Sequence, residues 1–271
     1  MDIYEEITRL RNSGIKAALA TIVNVRGSIP SFESAKLLVR EDGSIVGTVG
    51  GGCVEAEVWA AARQVIQEEK PRKLTFDLNN DPSFDTGLLC GGTVEVFVEP
   101  ILPTPFLYIF GAGHVSLSLS KVATVAGFST IIIDDRDTYA NRERFPEAAE
   151  IYADDYEKVF DRLLPNSSSF LIAVTRGHRD DMRVLRWAVG TATRYVGMIG
   201  SKRKVLEIVK HLEQEGIPRS QFGRVHAPVG LAIGAVTPEE IAVSVVAEMI
   251  AVRRNALQDA KPHSKSILAI S

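Results

Sequence analysis

The feature that most constrains the fold is "YIFGAGHVSLSLS" (108 to 120): a short apolar run, a glycine turn and then an apolar-periodic stretch. A strand that feeds a helix through two glycines suits a parallel sheet with crossover helices, and the runs that follow keep the same rhythm. "STIIID", a looser section, "SFLIAVT", "RYVGMIG" and "RVHAPVG" alternate with stretches of helical periodicity. The fold class is therefore α/β, with a Rossmann-like, doubly wound parallel sheet in the C-terminal part. The last helix is announced by Thr237 as its cap, Pro238 in its first turn and Glu240 completing a capping box.

Upstream the pattern changes to hairpins. "AKLLVR" and "SIVGTV" flank the turn pair Asp42-Gly43, and Val94, Val96 and Val98 alternate with Glu95, Phe97 and Glu99 as in a half-buried strand. Val54, Val58, Ala62, Val65 and Ile66 give one helix, from about 54 to 68, its core face. This is a smaller mixed α/β domain. "PILPTPF", with three prolines, reads as the junction. The expected division is residues 1–100, a linker at 101–106, the Rossmann-like domain at 107–255 and a polar tail at 256–271.

With 271 residues the chain has room for two cores, and its net charge of −3 gives no electrostatic reason to expect nucleic acid or an anionic membrane as a partner. The most apolar stretch (230 to 252) is broken by Pro238, Glu239 and Glu240, which argues against a membrane span. The acidic, amphipathic opening segment lacks the pattern of a secretory signal, so the expected location is the cytoplasm.

In the glycine turn, Gly111 permits the tight bend, Gly113 lets backbone approach a phosphate, and the helix beginning near His114 offers its N-terminal amides. Asp134 ends the next apolar run, where an acid would accept ribose hydroxyls; the third glycine position is Ser116. The turn suits a dinucleotide or another ligand of related sheets. Other strand ends carry His178 with Asp181, three apart and so on one helix face, and Gly200-Ser201-Lys202, where a glycine turn opens a helix suited to a phosphate. The alternatives are polar caps and solvated lysines. No nucleophile elbow or Walker-type loop is present, so an ordinary hydrolase is unsupported.

The two cysteines, Cys53 and Cys90, both border glycines: Gly50, Gly51 and Gly52 for the first, Gly91 and Gly92 for the second. A helix N-terminus favours the reactive form of a thiol, and glycines leave room for a bulky partner. Cys53 meets that placement, and the pair would suit a soft metal, a sulfur-rich cofactor or reversible disulfide chemistry if they lie together. Each is otherwise a core filler.

The segments "GTVGGGCVEAEV", "CGGTVEVFVEP", "IFGAGHVSLSLSKVA", "IIIDDRDTYANRERFP", "GMIGSKRK" and "GLAIGAVTPEEIAVSVVAEMIA" resemble, in order and over nearly the whole chain, the xanthine dehydrogenase accessory proteins of the XdhC/CoxI family. The resemblance implies a chaperone, not an enzyme in the ordinary sense. It would bind molybdenum cofactor, protect it, and help sulfurate and insert it into a molybdenum hydroxylase. The implied partners are the apo-hydroxylase and a cysteine desulfurase, with a second copy of the chain as a further candidate. Cys53 becomes a candidate molybdenum contact. The sequence departs from the family pattern at Ser31, where an arginine is usual, at Ser34, where a glycine is usual, and at Ala232, where an aspartate is common. The competing readings are an NAD(P)-dependent oxidoreductase, with His178 as its acid or base, and a nucleotide-sensing regulator.

Overall fold

A computed structural model describes residues 2–28, 33–78 and 91–257. It divides into two compact units, residues 1–104 and 105–271.

The first unit opens with helix α1 (Ile3–Asn12), capped by Asp2, whose carboxylate accepts the Tyr4 amide at 2.6 Å. Ile3, Ile7 and Leu10 turn inward onto Ala17, Leu19 and Leu38. The buried Glu6 is held between Arg9 and Arg40. Strands β1 (Ala17–Ser28), β2 (Lys36–Arg40), β3 (Ile45–Gly47), β4 (Arg72–Asp77) and β5 (Gly91–Ile101) form an antiparallel sheet in the order β3-β2-β1-β5-β4. The alternation read at Val94, Val96 and Val98 is present, with all three buried.

Helix α2 (Gly52–Glu68) lays Val58, Ala62 and Val65 on the core of that sheet. It begins two residues earlier than its apolar periodicity suggests, because the glycines continue into the first turn. Trp59 Nε1 and Arg63 Nη1 donate to the carbonyls of Gly43 and Glu41, fastening the β2–β3 turn to the helix. Ser34 sits at φ 72°, a left-handed conformation that costs a side chain and that glycine adopts freely. Ser31 lies outside the described residues, as do Cys90 and residues 258–271 of the tail.

The second unit is a six-stranded parallel sheet in the order β11-β10-β9-β6-β7-β8. Its strands are β6 (Phe106–Phe110), β7 (Ser129–Asp134), β8 (Glu150–Ala153), β9 (Phe170–Ala173), β10 (Tyr195–Met198) and β11 (Val225–His226). Helices α3 (His114–Val125) and α7 (Pro238–Arg253) share one core, on one face, with Leu107, Ile109, Phe170 and Ile172. Helices α4 (Tyr156–Phe160), α5 (His178–Ala188) and α6 (Lys202–Gln214) share the other core with Tyr108, Phe110, Ile133 and Leu171. Burial on both faces explains why these strands read as unbroken apolar runs. The capping box of α7 forms as its sequence indicates.

Strand β8 and helix α4 lie in what the sequence presents as a looser section. "EIYA" is short, lies at the sheet edge and is at most half-buried, so it carries little hydrophobic signal. Among the described residues, no helix is long and apolar enough to cross a membrane.

Candidate functional site

In the second unit the strand order reverses between β6 and β9, the position at which open α/β sheets hold ligands beyond the strands' carboxyl ends. Gly111 is required there twice over. Its φ is 109°, and a Cβ on it would clash with the Val174 carbonyl oxygen. Gly113 caps α3 with no side-chain hydrogen bond, and a Cβ on it would meet nothing within 4 Å. His114 is exposed at the same helix start. Ser116, in the third glycine position, is fully buried, and its hydroxyl has no partner among the described residues.

Asp134 stands at the end of β7 as expected, but its carboxylate is not open to a ribose. Oδ2 accepts the Ala112 amide at 2.7 Å and Arg136 Nη2 at 2.8 Å, while Oδ1 accepts Arg136 Nε at 2.8 Å. Burial pushes the carboxyl up, yet the Arg136 and backbone hydrogen bonds outweigh it and hold Asp134 below the usual carboxylate range. Arg136 is raised in turn, chiefly by its hydrogen bonds to Asp134. Arg144 Nη2 donates to the Ala112 carbonyl at 3.1 Å, and Arg136 and Arg144 both stack on Tyr139. The two arginines brace the glycine turn. The triplet "DDR" in the sequence carries this signal, since an arginine two residues after the strand-end acid can fold back on it.

The pairing of His178 with Asp181 also needs correction. His178 is exposed at the start of α5. Asp181, fully buried, instead accepts Thr175 Oγ1 at 2.7 Å and the Lys204 ammonium. A buried carboxylate needs a cation close by, and Lys204 arrives from α6 because a glycine at position 200 leaves room: a Cβ there would lie 2.9 Å from Lys204 Cδ. Ser201 caps α6 by accepting the Lys204 amide. Lys202 is exposed, so within "GSKRK" it is Lys204 that turns inward. Helical spacing alone does not reveal which of three basic residues meets a neighbouring helix.

Beyond β10, Glu248 of α7 accepts His226 Nδ1 at 2.6 Å and also the Gly230 amide. His226 stacks on Tyr195 with 4.5 Å between ring centroids. Ser244 Oγ donates to the Leu231 carbonyl at 2.7 Å, so α7 holds the segment just ahead of Ala232, which is exposed.

In the first unit, Gly50, Gly51 and Gly52 have φ of 115°, 76° and 63°, a left-handed run that ends at Cys53 in the first turn of α2. Thr48 Oγ1 donates to Glu55 at 2.5 Å and the Val49 amide to the same carboxylate at 3.3 Å, tying the loop to the helix it precedes. Cys53 is exposed, and added Cβ atoms at Gly51 and Gly52 meet nothing within 4 Å. Gly91 and Gly92 begin β5; at Gly92 a Cβ would strike the Arg26 carbonyl oxygen, so strand pairing requires that glycine. The proposed meeting of Cys53 with Cys90 lies outside the described residues. Among those residues, no three His, Cys, Asp or Glu side chains form a cluster fit for a metal.

Comparison with known proteins gives these features a lineage. Residues 107–249 match the model of the XdhC Rossmann domain, and residues 10–77 match that of the XdhC and CoxI family. The uncharacterized protein YqeB of Escherichia coli (strain K12) is 35% identical over 94% of this chain, which spans 47% of that protein's length. A probable xanthine dehydrogenase subunit of Bacillus subtilis (strain 168) is 25% identical over 88% of this chain and 94% of its own length. The molybdenum cofactor insertion chaperone PaoD of Escherichia coli (strain K12) is 27% identical over 91% of this chain and 86% of its own. A crystal structure of a xanthine dehydrogenase from Bacillus halodurans superposes with a TM-score of 0.53 at 25% identity, covering 97% of this chain and 98% of that one. With its Rossmann unit and its glycine–cysteine unit both matched, the chain belongs to the XdhC and CoxI family.

Proposed function

We propose that this chain binds molybdenum cofactor, protects it, and assists its sulfuration and insertion into a xanthine-dehydrogenase-type molybdenum hydroxylase. The relationship to an insertion chaperone, which extends over both units, supports the reading. The observation that carries it is Cys53, exposed at the end of a left-handed glycine run.

The residues fit the group. Open space before Gly51 and Gly52 admits a bulky ligand close to the backbone, and α2 starts without a side-chain cap. A thiol is a suitable donor for a soft, sulfur-ligated metal. When bound, the cofactor supplies a dithiolene-held molybdenum whose chemistry belongs to the client hydroxylase. Here the chain's own task would be to hold and screen: Cys53 would face the metal end, while Gly50, Gly51 and Gly52 would give close approach. The partners of this reading are the apo-hydroxylase and a cysteine desulfurase, in a cytoplasmic setting. The Rossmann unit remains a candidate nucleotide site at Gly111, Gly113 and His114, with Gly200, Ser201 and Lys202 at a second strand end. The bracing of Asp134 by Arg136 disfavours a ribose diol there.

The test is anaerobic incubation of the chain with molybdenum cofactor, followed by gel filtration and measurement of retained molybdenum and oxidised-pterin fluorescence. Stoichiometric retention by the wild type, reduced about tenfold in Cys53→Ser and insensitive to nicotinamide nucleotide, is the expected result. Absent retention together with saturable nicotinamide binding would replace this reading with the oxidoreductase or regulator.

A further inference from the structure

Between α3 and residues 144–147, which lead into β8, the Rossmann unit holds a cavity of about 230 Å³. Leu117, Lys121 and Val125 are four apart on α3, so they share the helix face that forms one wall. Phe145 and Pro146 add apolar surface from the other segment, and Arg144 and Glu147 bring charge to the lining. Val125 is 89% exposed, so the cavity opens to solvent along the last turn of α3.

Arg144 is the informative residue. It is partly buried, and its Nη2 donates to the Ala112 carbonyl at 3.1 Å. Its guanidinium lies 4.8 Å from the centroid of the Tyr139 ring and 5.9 Å from that of Phe145. These contacts fix the group without giving it a counter-charge, and its Nε is buried with no acceptor among the described residues. Lys121, exposed on the same lining, also makes no ion pair among the described residues, and neither cation lies within ion-pairing distance of Glu147.

A buried donor without an acceptor and a guanidinium without a counter-charge are both unfavourable, and a carboxylate relieves both, since it accepts the Nε–H and carries the opposite charge. The apolar walls require that carboxylate to bring a hydrophobic body. At about 230 Å³ the cavity lies below the range of about 300–1,000 Å³ that holds drug-sized ligands, which limits the body to a single ring or a short chain. A phosphate suits the lining poorly, because Glu147 repels a second negative charge and the walls offer few donors.

We propose that this cavity binds a small hydrophobic carboxylate, with its charged end on Arg144, Lys121 at the opening, and its apolar body against Leu117, Phe145 and Pro146. Occupancy would reach the glycine turn, because Arg144 holds the Ala112 carbonyl while Asp134 holds the Ala112 amide. This site and the cofactor-handling function stand on different residues, and neither depends on the other.

The test is an NMR titration of the isotope-labelled full chain with phenylacetate. Phenylacetamide keeps the shape without the charge, acetate keeps the charge without the ring, and inorganic phosphate serves as a plain anion. Phenylacetate should bind with a Kd of about 1 mM or tighter and shift the amides of residues 117–125 and 144–147 together with that of Ala112. Phenylacetamide and acetate should each bind about tenfold more weakly. Lys121→Glu, at an exposed position, should weaken phenylacetate several-fold without harming the fold. Arg144→Met keeps the apolar stem and should weaken it about tenfold or more. Should that variant unfold for want of the brace on Ala112, Lys121→Glu and the ligand series decide the matter. Phenylacetamide or acetate bound as tightly as phenylacetate overturns the proposal, as does unchanged affinity in Lys121→Glu. Phosphate bound as tightly as phenylacetate marks a general anion patch and overturns it too. Shifts confined to other parts of the chain overturn the location, and an unmoved Ala112 amide overturns the link to the glycine turn.

Discussion

Asp134 accepts the amide hydrogen of Ala112 at 2.7 Å, joining the end of β7 to the glycine turn that follows β6. With both oxygens also engaged by Arg136, a buried carboxylate on one strand fixes the conformation of a loop that leaves another. Asp134→Ala leaves Arg136 and the Ala112 amide without their partner and should cost about 3 kcal/mol in urea denaturation. Arg136 retains some solvent access, and the Asp134→Ala/Arg136→Ala double variant should cost less than the sum of the single ones. Additive losses would show that the two side chains act independently.

The two glycines of the same turn should respond differently. Gly111→Ala forces a left-handed alanine against the Val174 carbonyl, and a loss of about 3 kcal/mol is expected. Gly113→Ala has open space and a negative φ, so its stability should stay within about 0.5 kcal/mol of the wild type. Parallel thermal or urea unfolding of both variants checks the contrast.

Ser34 holds a left-handed backbone conformation, φ 72°, that glycine adopts more cheaply. Ser34→Gly relieves the steric cost of the left-handed serine but enlarges the entropy of the unfolded chain. The net gain should be about 0.5–1 kcal/mol, read as a higher urea midpoint at unchanged slope.

Glu6 gives the first unit a defined acid sensitivity. Hydrogen bonds from Arg9 and then Arg40 outweigh burial and hold its carboxyl at about 2, against an ordinary value of 4.5. A group whose pKa falls on folding stabilises the native state fully above the ordinary value, and that contribution disappears as pH drops toward the folded value. The difference in Tm between wild type and Glu6→Gln should therefore be greatest above pH 4.5 and shrink toward pH 2. A gap independent of pH would remove the ionic explanation.

Local periodicity and backbone chemistry already specify most elements of this chain, the edge strand β8 and the short helix α4 excepted. The apolar runs at 106–110, 129–134 and 170–173, each followed by helical spacing, require a parallel sheet covered on both faces, and the prolines near 100–105 separate it from the hairpins upstream. The left-handed glycines before Cys53 and the turn at Gly111 are equally local, because only glycine adopts such angles cheaply. Side-chain partners, by contrast, were set by the three-dimensional fold. Nothing in the spacing of "HRDD" or "GSKRK" indicates that Asp181 turns away from His178 to meet Thr175 and Lys204, or that Arg176 bridges Asp135 and Asp180. Those pairings join residues from different strand ends, and a buried charge takes whichever counter-charge the fold brings within reach.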